Sequence, residues 1–478
     1  MAATLLPDAG SRLAALKARI YDGLDRLGDC PPNWVPALDG IDKDVVIIGA
    51  GQAGLAIGFA LKREGVTNIA ILDAQPAGQE GPWVTYGQME TLRSPKTLQG
   101  PELGLPALTF RAWHEAAYGE AAYDALGKIP TRLWMDYLLW YRDVADLPIR
   151  NDTQVTRIEP VAAGLRLSFD GKGDCNSLTT RKVVLATGMD GFGRARIPEV
   201  VRDGLPRDRY AHCREIVDFE SLRGKRIAVL GAASSAFDYS ATALEHGAAR
   251  VDLFCRGDRL YDRNRFKQIN YAGIMHHYVD LDDADRWRIM SELFGRAVAV
   301  TRETLARNTR HDNFHIHLNA GWDTAQVIDG AVRIKTVSGA AYAADFVIVG
   351  AGFENSPEAR PELAGFADKI ARWQDRFPAP EGQKNPGAAA FPYLGREFQL
   401  QDKQPGAAPW LQDIHLYNWA GTVSHGRGSS ENSSLRFGLP RLISALIRDI
   451  VRKDAAAHVA RILDLPEPEF RPDEYRAD

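Results

Sequence analysis

The chain is long, moderately hydrophobic and nearly balanced in charge. It has 478 residues, of which 45% are hydrophobic and 25% are charged, enough to bury more than one core and to form two or three domains. The formal net charge is −4 at pH 7, which gives no electrostatic reason to expect nucleic acid or an anionic membrane as a partner. We therefore expect a small-molecule substrate.

Neither the cysteines nor the N-terminal segment carries a metal or targeting signal. Four cysteines are scattered without a paired spacing, so no zinc site and no disulfide framework is indicated. Residues 1–40 contain an expected helix at about 11–27 and no secretory signal. We interpret them as a helical extension for packing or for a possible homo-oligomer. The longest apolar run, residues 45–61, is short for a bilayer span, and we expect a cytoplasmic location.

A dinucleotide-binding loop is indicated by the sequence DVVIIGAGQAG. Its apolar strand runs directly into Gly49, Gly51 and Gly54. The first glycine lets the strand turn, the second lets the backbone approach a pyrophosphate, and the third lets the next helix pack closely. That helix begins at Gln52 and Ala53, and its unpaired N–H groups point at the anion.

An acidic residue follows the next expected strand, residues 69–72. Asp73 lies 73 − 54 = 19 residues after the last glycine of the loop. A carboxylate at this position accepts the hydroxyl groups of an adenosine ribose. The first loop is therefore predicted to bind a dinucleotide whose ribose carries no phosphate.

A second nucleotide unit is predicted from residue 225 onwards. The apolar strand 225–230 leads into Gly231, and Ser234 and Ser235 open the following helix. Alanine replaces the second and third glycines, which loosens the approach of the pyrophosphate slightly. The same physical device is thus used twice in one chain.

The second unit differs from the first where its acidic residue would stand. The strand 251–254 is followed by Arg256, which lies 256 − 236 = 20 residues after Ala236, the last alanine of the loop. A cation there attracts a 2′-phosphate that an acid would repel, so NADPH is favoured over NADH. The alternative is a solvated surface arginine.

Further elements follow from apolar runs and breaker residues. His315 and His317 share one face of an expected strand, without an acid or cysteine beside them in that strand, and they do not indicate a metal site. The strand 183–185 leads to Gly188, and the strand 346–349 leads to Gly350; we interpret these two strands as the exit from and the return to the first domain. Other expected elements are helices at 132–144, 283–305 and 434–452, and strands at 314–318 and 332–337.

These patterns predict an α/β fold of two Rossmann-like dinucleotide-binding domains, the second inserted into the first. The first domain is expected to comprise residues 41–205 and 345–478, and the second residues 206–344.

With two nucleotide loops, residues 41–450 resemble the two-dinucleotide-binding-domain flavoproteins, in which the first loop holds FAD and the inserted domain holds a nicotinamide coenzyme. No cysteine is placed as the redox pair that disulfide reductases need. The remaining resemblance is to the class B flavoprotein monooxygenases, and within them to microbial amine N-hydroxylases. It is carried by Gly81-Pro82-Trp83, by residues 91–93, by the loop 234–238, by the basic segment 256–270 and by residues 424–426.

The resemblance implies an enzyme in which NADPH reduces FAD and one oxygen atom of dioxygen is inserted into a nucleophilic substrate. It implies that Trp83 and Arg93 lie at FAD, together with Gly188 and Gly421. The helix at 434–452 is expected to aim its N-terminus at the flavin. Alternatively, Arg93 binds a substrate carboxylate or is a solvated surface residue.

The sequence predicts both cofactors but leaves several substrate classes open. N-hydroxylation of an amine or amino acid leads, and Lys96, Asn313 and His425 are the candidate substrate contacts. The alternatives are Baeyer–Villiger or sulfide oxygenation, or a flavin reductase that passes electrons to a protein. The ketone-oxygenating fingerprint departs around His212, because Pro206 and Ile216 stand where it has aromatic residues.

Overall fold

The computed structural model describes residues 4–97, 99–171, 176–294, 298–428, 431–464, 468–471 and 474. The strands within these residues are β1 (Lys43–Ile48), β2 (Ile69–Leu72), β3 (Ile149–Arg150), β4 (Thr153–Val161), β5 (Gly164–Gly171), β6 (Ser177–Leu185), β7 (Gly193–Ala195), β8 (Tyr210–His212), β9 (Arg226–Leu230), β10 (Arg250–Phe254), β11 (Phe314–His317), β12 (Trp322–Ile328), β13 (Ala331–Thr336), β14 (Ala341–Ala344), β15 (Phe346–Val349), β16 (Phe353–Asn355) and β17 (Ile414–Leu416).

The helices within the same residues are α1 (Ala9–Leu27), α2 (Gln52–Arg63), α3 (Phe110–Tyr118), α4 (Glu120–Ala125), α5 (Thr131–Ala145), α6 (Glu199–Arg202), α7 (Ser234–Glu245), α8 (Ala272–His277), α9 (Asp283–Phe294), α10 (Arg302–Thr309), α11 (Pro361–Ala364), α12 (Trp373–Arg376), α13 (Pro386–Ala389), α14 (Thr422–His425), α15 (Leu435–Lys453) and α16 (Ala455–Leu463). The segment expected as one helix over 283–305 is divided into α9 and α10.

The first sheet is buried on both faces. Its parallel part has the order β3-β2-β1-β6-β17, and β5 and β4 continue antiparallel from the start of β6. In β1, Val45 and Ile47 pack under α2 and α15, while Val46 and Ile48 face the opposite core. Burial on both sides explains why this strand is a continuous apolar run instead of an alternating one.

The second sheet has five parallel strands in the order β11-β10-β9-β15-β8. Helix α7 covers one face, and the small antiparallel sheet β12-β13-β14 packs near the other. The predicted α/β fold with two Rossmann-like units, the second inserted into the first, is confirmed.

The two passages between the domains run side by side, because β7 pairs antiparallel with β16. The expected return to the first domain at residue 345 needs correction. Strand β15, residues 346–349, pairs with β9 and β8 in the second sheet, so the chain returns only after Val349. Both Rossmann units need such a strand on the far side of their first strand, and residues 346–349 fill that place in the second unit.

Two segments outside the nucleotide units add to the first domain. Helix α1 buries Leu16, Ile20 and Leu24 in the core formed with α3 and α5, so the N-terminal extension serves as a packing arm. Residues 266–293 contribute Phe266 and Trp287 to a core shared with residues 373–423. The insertion is therefore joined to the first domain by a shared hydrophobic core as well as by its two connections.

Candidate functional site

The first nucleotide loop is shaped by close backbone contacts. Gly49 has φ +105°, and a Cβ atom on Gly54 would lie 1.8 Å from the carbonyl oxygen of Gly49. Only glycine fits these two positions. Gly51 differs, since a Cβ atom there would meet no atom within 4 Å; its hydrogen faces the open space where a pyrophosphate would approach.

The N-terminus of α2 is suited to an anion. Gly51 is its N-cap, no side chain caps the helix, and the first turn contains no acidic residue. The N–H groups of Gln52 and Ala53 are therefore available to phosphate oxygens. These features fit the pyrophosphate of FAD.

Asp73 holds the backbone of the first nucleotide loop. Its Oδ2 accepts a hydrogen bond from the N–H of Ala50 over 2.7 Å, and its Oδ1 accepts one from the N–H of Gln75 over 2.8 Å. Burial raises the pKa of this carboxyl group, and the two N–H donors act in the opposite direction. Each oxygen retains a lone pair that can accept a ribose hydroxyl.

Two charged residues beside the first nucleotide loop, Glu80 and Arg142, were not predicted from the sequence. Glu80 is 3% exposed, and it accepts hydrogen bonds from Arg142 over 2.8 Å and from Asn151 over 2.7 Å. Arg142 and Glu80 line a narrow cavity together with Ala50 and Gly51. Arg142 comes from α5, which no nucleotide motif includes, so spacing alone gave no signal for it.

A larger cavity of about 440 Å³ adjoins the first one. Both cavities share Met135 and Leu139 of α5. The larger one is bounded by Gln79 and Val84 of the first domain and by Ile216, which follows β8 in the second domain. The crevice of the first loop thus extends towards the boundary between the domains.

Trp134, which the sequence analysis did not predict as a site residue, contacts both Trp83 and Gln52. The indole N–H of Trp134 donates to Gln52 Oε1 over 3.3 Å, and the rings of Trp83 and Trp134 are 6.3 Å apart in an edge-to-face arrangement. The Gly-x-Trp loop is therefore packed beside the start of α2.

Two further predicted cofactor contacts, Gly188 and Gly421, share one neighbourhood. Gly188 has φ +79° and accepts a hydrogen bond from the N–H of Trp419 over 3.4 Å. Asn418 joins the same segments, since its side chain donates to Thr187 Oγ1 over 3.1 Å and its carbonyl accepts the N–H of Gly421.

Helix α15 begins beside this region, one residue after the expected start. Ser434 is its N-cap, but its hydroxyl donates to the carbonyl of Glu431 and does not cap the helix. The helix packs against α2. A Cβ atom on Gly438 would lie 1.9 Å from the carbonyl oxygen of Gly428. This close approach fixes the start of the helix next to the preceding loop.

The second nucleotide loop repeats the geometry of the first. Gly231 has φ +120°, and a Cβ atom there would lie 2.4 Å from the carbonyl oxygen of Gly350. Gly350 also makes room for the methyl group of Ala236, because a Cβ atom on Gly350 would lie 2.7 Å from it. Ala236 is accepted at the start of the helix because the residue facing it, directly after β15, is a glycine.

The start of α7 is open in the same way as the start of α2. It has no side-chain cap and no acidic residue in its first turn, and it presents Ser234 and Ser235. Arg256 is exposed beyond the end of β10. Within the described part of the chain its guanidinium has no hydrogen-bond or ion-pair partner, so its charge is available to a ligand.

The other predicted contacts have partners inside the protein. Arg93 forms an ion pair of 2.5 Å with Asp238. Lys96 caps the C-terminus of α4, since its ammonium group donates to the carbonyls of Tyr123 and Asp124 over 2.7 and 3.2 Å. Asn313 donates to the carbonyl of Ala248 over 2.9 Å.

His425 is buried against Phe398, with ring centroids 3.9 Å apart. Its Nε2 lies 3.1 Å from the carbonyl of Gly395, and its Nδ1 lies 3.1 Å from Nη2 of Arg441. Burial, followed by the charge of Arg441, places the pKa of His425 well below its usual value. The ring is therefore neutral, with Nε2–H donating and Nδ1 accepting.

Of the strand histidines, His317 has an acidic neighbour that the sequence pattern did not reveal. Its Nε2 lies 2.7 Å from Asp252 of the adjacent strand, and its ring stacks on Phe254. Across the described ranges no group of three or more histidine, cysteine or acidic side chains is arranged to hold a metal ion.

Fold and loops together define a flavoprotein with two dinucleotide-binding domains. The family described as pyridine nucleotide-disulphide oxidoreductase matches residues 46–276. An FAD-dependent urate hydroxylase from Xanthomonas campestris pv. campestris is 41% identical over 464 residues, which are 96% of this chain and 97% of the relative. The chain belongs to the family of that hydroxylase, among the class B flavoprotein monooxygenases, and is an FAD-dependent monooxygenase.

Solved structures share the fold at lower identity. An ornithine hydroxylase from Pseudomonas aeruginosa has a TM-score of 0.65 at 17% identity, covering 85% of this chain and 99% of its own. An L-lysine 6-monooxygenase from Pseudomonas syringae has a TM-score of 0.65 at 19% identity, with coverage of 85% and 99%. A flavin-containing monooxygenase from Stenotrophomonas maltophilia has a TM-score of 0.53 at 18% identity, with coverage of 86% and 98%.

Proposed function

We propose that this monooxygenase uses NADPH and hydroxylates urate or a closely related oxopurine. The observation that carries the substrate is the 41% identity with a urate hydroxylase along 96% of the chain. The overall reaction consumes the substrate, O2, NADPH and a proton, and it yields the hydroxylated substrate, water and NADP⁺. Bound FAD supplies the redox chemistry and the activation of dioxygen.

The protein's own residues act by binding and orienting. The N–H groups at the start of α2 and the carboxylate of Asp73 would hold the pyrophosphate and ribose of FAD. Gly231, Ser234 and Ser235 would hold the pyrophosphate of NADPH, and the unpaired Arg256 would bind its 2′-phosphate. Trp83 and Trp134 would form an apolar wall near the flavin that limits the access of water.

N-hydroxylation of an amine or amino acid is the second candidate. It is favoured by the shared fold with the ornithine and lysine enzymes, and that likeness concerns the fold alone. Two of the residues expected to contact an amine substrate, Lys96 and Asn313, have carbonyl partners inside the protein. Urate is therefore the stronger proposal.

The test compares substrates on the FAD-loaded enzyme. Urate, xanthine, L-ornithine, L-lysine and cadaverine are each incubated with NADPH under ¹⁸O2, and NADPH loss, hydrogen peroxide and labelled product are measured. We expect one labelled oxygen in the urate product and NADPH loss only partly diverted to peroxide. Labelled hydroxylamine from an amine, with no product from urate, would refute the oxopurine assignment in favour of N-hydroxylation.

Location and assembly stay predictions. No helix of the described residues is long and apolar enough to cross a bilayer. We propose a cytoplasmic enzyme, and fractionation of the host cells tests this. The expected homo-oligomer is tested by light scattering of the purified holoenzyme.

A further inference from the structure

Helix α7 connects the two nucleotide units physically. Its N-terminus, at Ser234, forms part of the second nucleotide loop. Its next residues, Asp238 and Tyr239, contact the segment 86–93 of the first domain, which follows Trp83. A shift of α7 relative to this segment would therefore move the nicotinamide coenzyme relative to the flavin.

A buried ion pair between Arg93 of the first domain and Asp238 of α7 lies at this contact. Their Nη2 and Oδ2 atoms are 2.5 Å apart, and the side chain of Asp238 is only 4% exposed. Burial raises the pKa of Asp238, while Arg93 and then Arg307 act to lower it. Arg93 thus supplies the ion-pair partner of a desolvated carboxylate, and the charge of Arg307 acts in the same direction.

The segment that carries Arg93 is fixed to the first domain. Leu92 is buried, and its N–H donates to the carbonyl of Ile129 over 2.8 Å. The adjacent Thr91 forms an antiparallel bridge with Pro130, directly before α5. Because its backbone is held in this way, Arg93 can transmit the position of the first domain to α7.

Two neighbours support the same contact. The hydroxyl of Tyr239 lies 2.7 Å from the carbonyl of Tyr86 and 2.8 Å from that of Glu215. Arg307 of α10 donates to the carbonyl of Gln88 over 2.7 Å and to Glu245 of α7 over 2.5 Å. These described contacts of α7 and α10 with the segment 86–93 are hydrogen bonds and an ion pair, so they depend on the orientation of the groups that form them.

We propose that the Arg93–Asp238 ion pair is a positioning contact: it sets the orientation of α7 against the flavin-side segment and thereby the rate of hydride transfer from NADPH to FAD. The inference rests on the proposed use of NADPH. Neither side chain touches the reacting atoms in this proposal. Hydride transfer requires the two rings in near-attack geometry, and small displacements lower the rate steeply.

The experiment uses holoenzyme carrying Arg93→Met, Asp238→Asn, both changes, or Arg93→Lys. The double variant removes the buried charge together with its partner, so it remains informative if Arg93→Met folds poorly. The matched control is Arg226→Met, which breaks an ion pair of 2.6 Å with Asp345 inside the second domain. Stopped-flow spectroscopy gives the rate of flavin reduction by NADPH and, separately, the rate of reoxidation by O2.

We expect flavin reduction to slow about tenfold or more in Asp238→Asn and in the double variant. NADP⁺ affinity and reoxidation should stay within about twofold, and Arg93→Lys should recover much of the rate, since it retains a cation. Reduction within twofold of wild type in the double variant would overturn the proposal, and so would an equal loss in the Arg226→Met control.

Hydrogen exchange of the coenzyme-free holoenzyme provides a second readout. We expect faster exchange in residues 86–93 and at the centre of α7 in the double variant, and no change there in Arg226→Met. Unchanged exchange in both variants would count against the positioning role. A wild-type enzyme that NADPH fails to reduce, with the exchange difference present, would refute the coenzyme assignment and the kinetic part of this inference while the contact itself stands.

Discussion

Gly49 and Ala186 meet so closely at the turn of the first nucleotide loop that a Cβ atom on Gly49 would lie 2.5 Å from the carbonyl oxygen of Ala186. Two residues further on, a Cβ atom on Gly51 would meet nothing within 4 Å. We therefore expect the two glycines to have different functions, Gly49 in the fold and Gly51 in binding the pyrophosphate of FAD.

Alanine at each glycine should separate folding from cofactor binding. Gly49→Ala imposes a side chain at φ +105° and should cost about 1–3 kcal/mol from the backbone alone, plus the clash. Gly51→Ala should change the unfolding free energy of the apoprotein by less than about 0.5 kcal/mol. Its FAD affinity should fall about tenfold or more, a loss of about 1.4 kcal/mol.

Urea unfolding of the apoproteins and fluorescence titration with FAD give these quantities. Wild-type FAD affinity in Gly51→Ala would show that the pyrophosphate does not approach this residue.

Arg256 offers a test of coenzyme choice that leaves the fold intact. It is exposed beyond β10, so Arg256→Ala should not change the melting temperature. Loss of the contact with the 2′-phosphate should raise the KM for NADPH about tenfold or more and leave the KM for NADH nearly unchanged. The matched control is Arg259→Ala, an exposed arginine three residues further on. Equal effects on both coenzymes would place the 2′-phosphate elsewhere.

The parts that the sequence predicted well are local. Gly49, Gly51 and Gly54 lie within one turn, and Asp73 follows at a spacing fixed by one helix and one strand, so each loop could be recognised without knowing the rest of the fold. Arg256 was singled out by the same reasoning, and its contact with the 2′-phosphate stays a prediction. In these cases the signal is the spacing of a few residues along one strand–helix–strand unit.

The contacts that could not be predicted from the sequence join segments that are far apart in the chain. Trp134 reaches Gln52 from 82 positions away, and Arg93 pairs with Asp238 across 145 positions. Lys96 looked available for a substrate because the two carbonyls that it caps belong to a helix some 27 residues later. No periodicity in the sequence encodes such contacts; they follow from how the elements pack.

His415 should make the protein less stable in mild acid. It is 1% exposed, and burial lowers its pKa to about 4, with the charge of Lys182 adding to the effect. In the unfolded chain a histidine takes up its proton near pH 6.5. The stabilisation is therefore complete above pH 6.5 and is lost as the pH falls from 6.5 to 4, by about 3 kcal/mol in total.

Urea unfolding at several pH values checks this. His415→Leu should flatten the profile between pH 4 and 6.5, whereas the same change at the exposed His276 should not. A slope of equal size in His415→Leu and wild type would assign the acid sensitivity to other groups. The pKa values of His425, His114 and His212 are also lowered by burial, so these histidines act in the same direction and contribute to the remaining slope.

Arg181 should be among the most costly single residues to remove. Its side chain is 2% exposed and lies 2.8 Å from Asp44 and 2.6 Å from Asp454, so it joins the start of β1 to the end of α15. Arg181→Met would leave two carboxylates buried without their cation and should lower the unfolding free energy by about 3–5 kcal/mol. Lys17→Met, which breaks the exposed pair with Asp143, should cost less than about 1 kcal/mol.

Adding Asp454→Asn to Arg181→Met should restore part of the loss, because it removes one of the uncompensated charges. Urea unfolding of the three variants measures each value, and similar losses in Arg181→Met and Lys17→Met would mean that the carboxylates are solvated when Arg181 is absent.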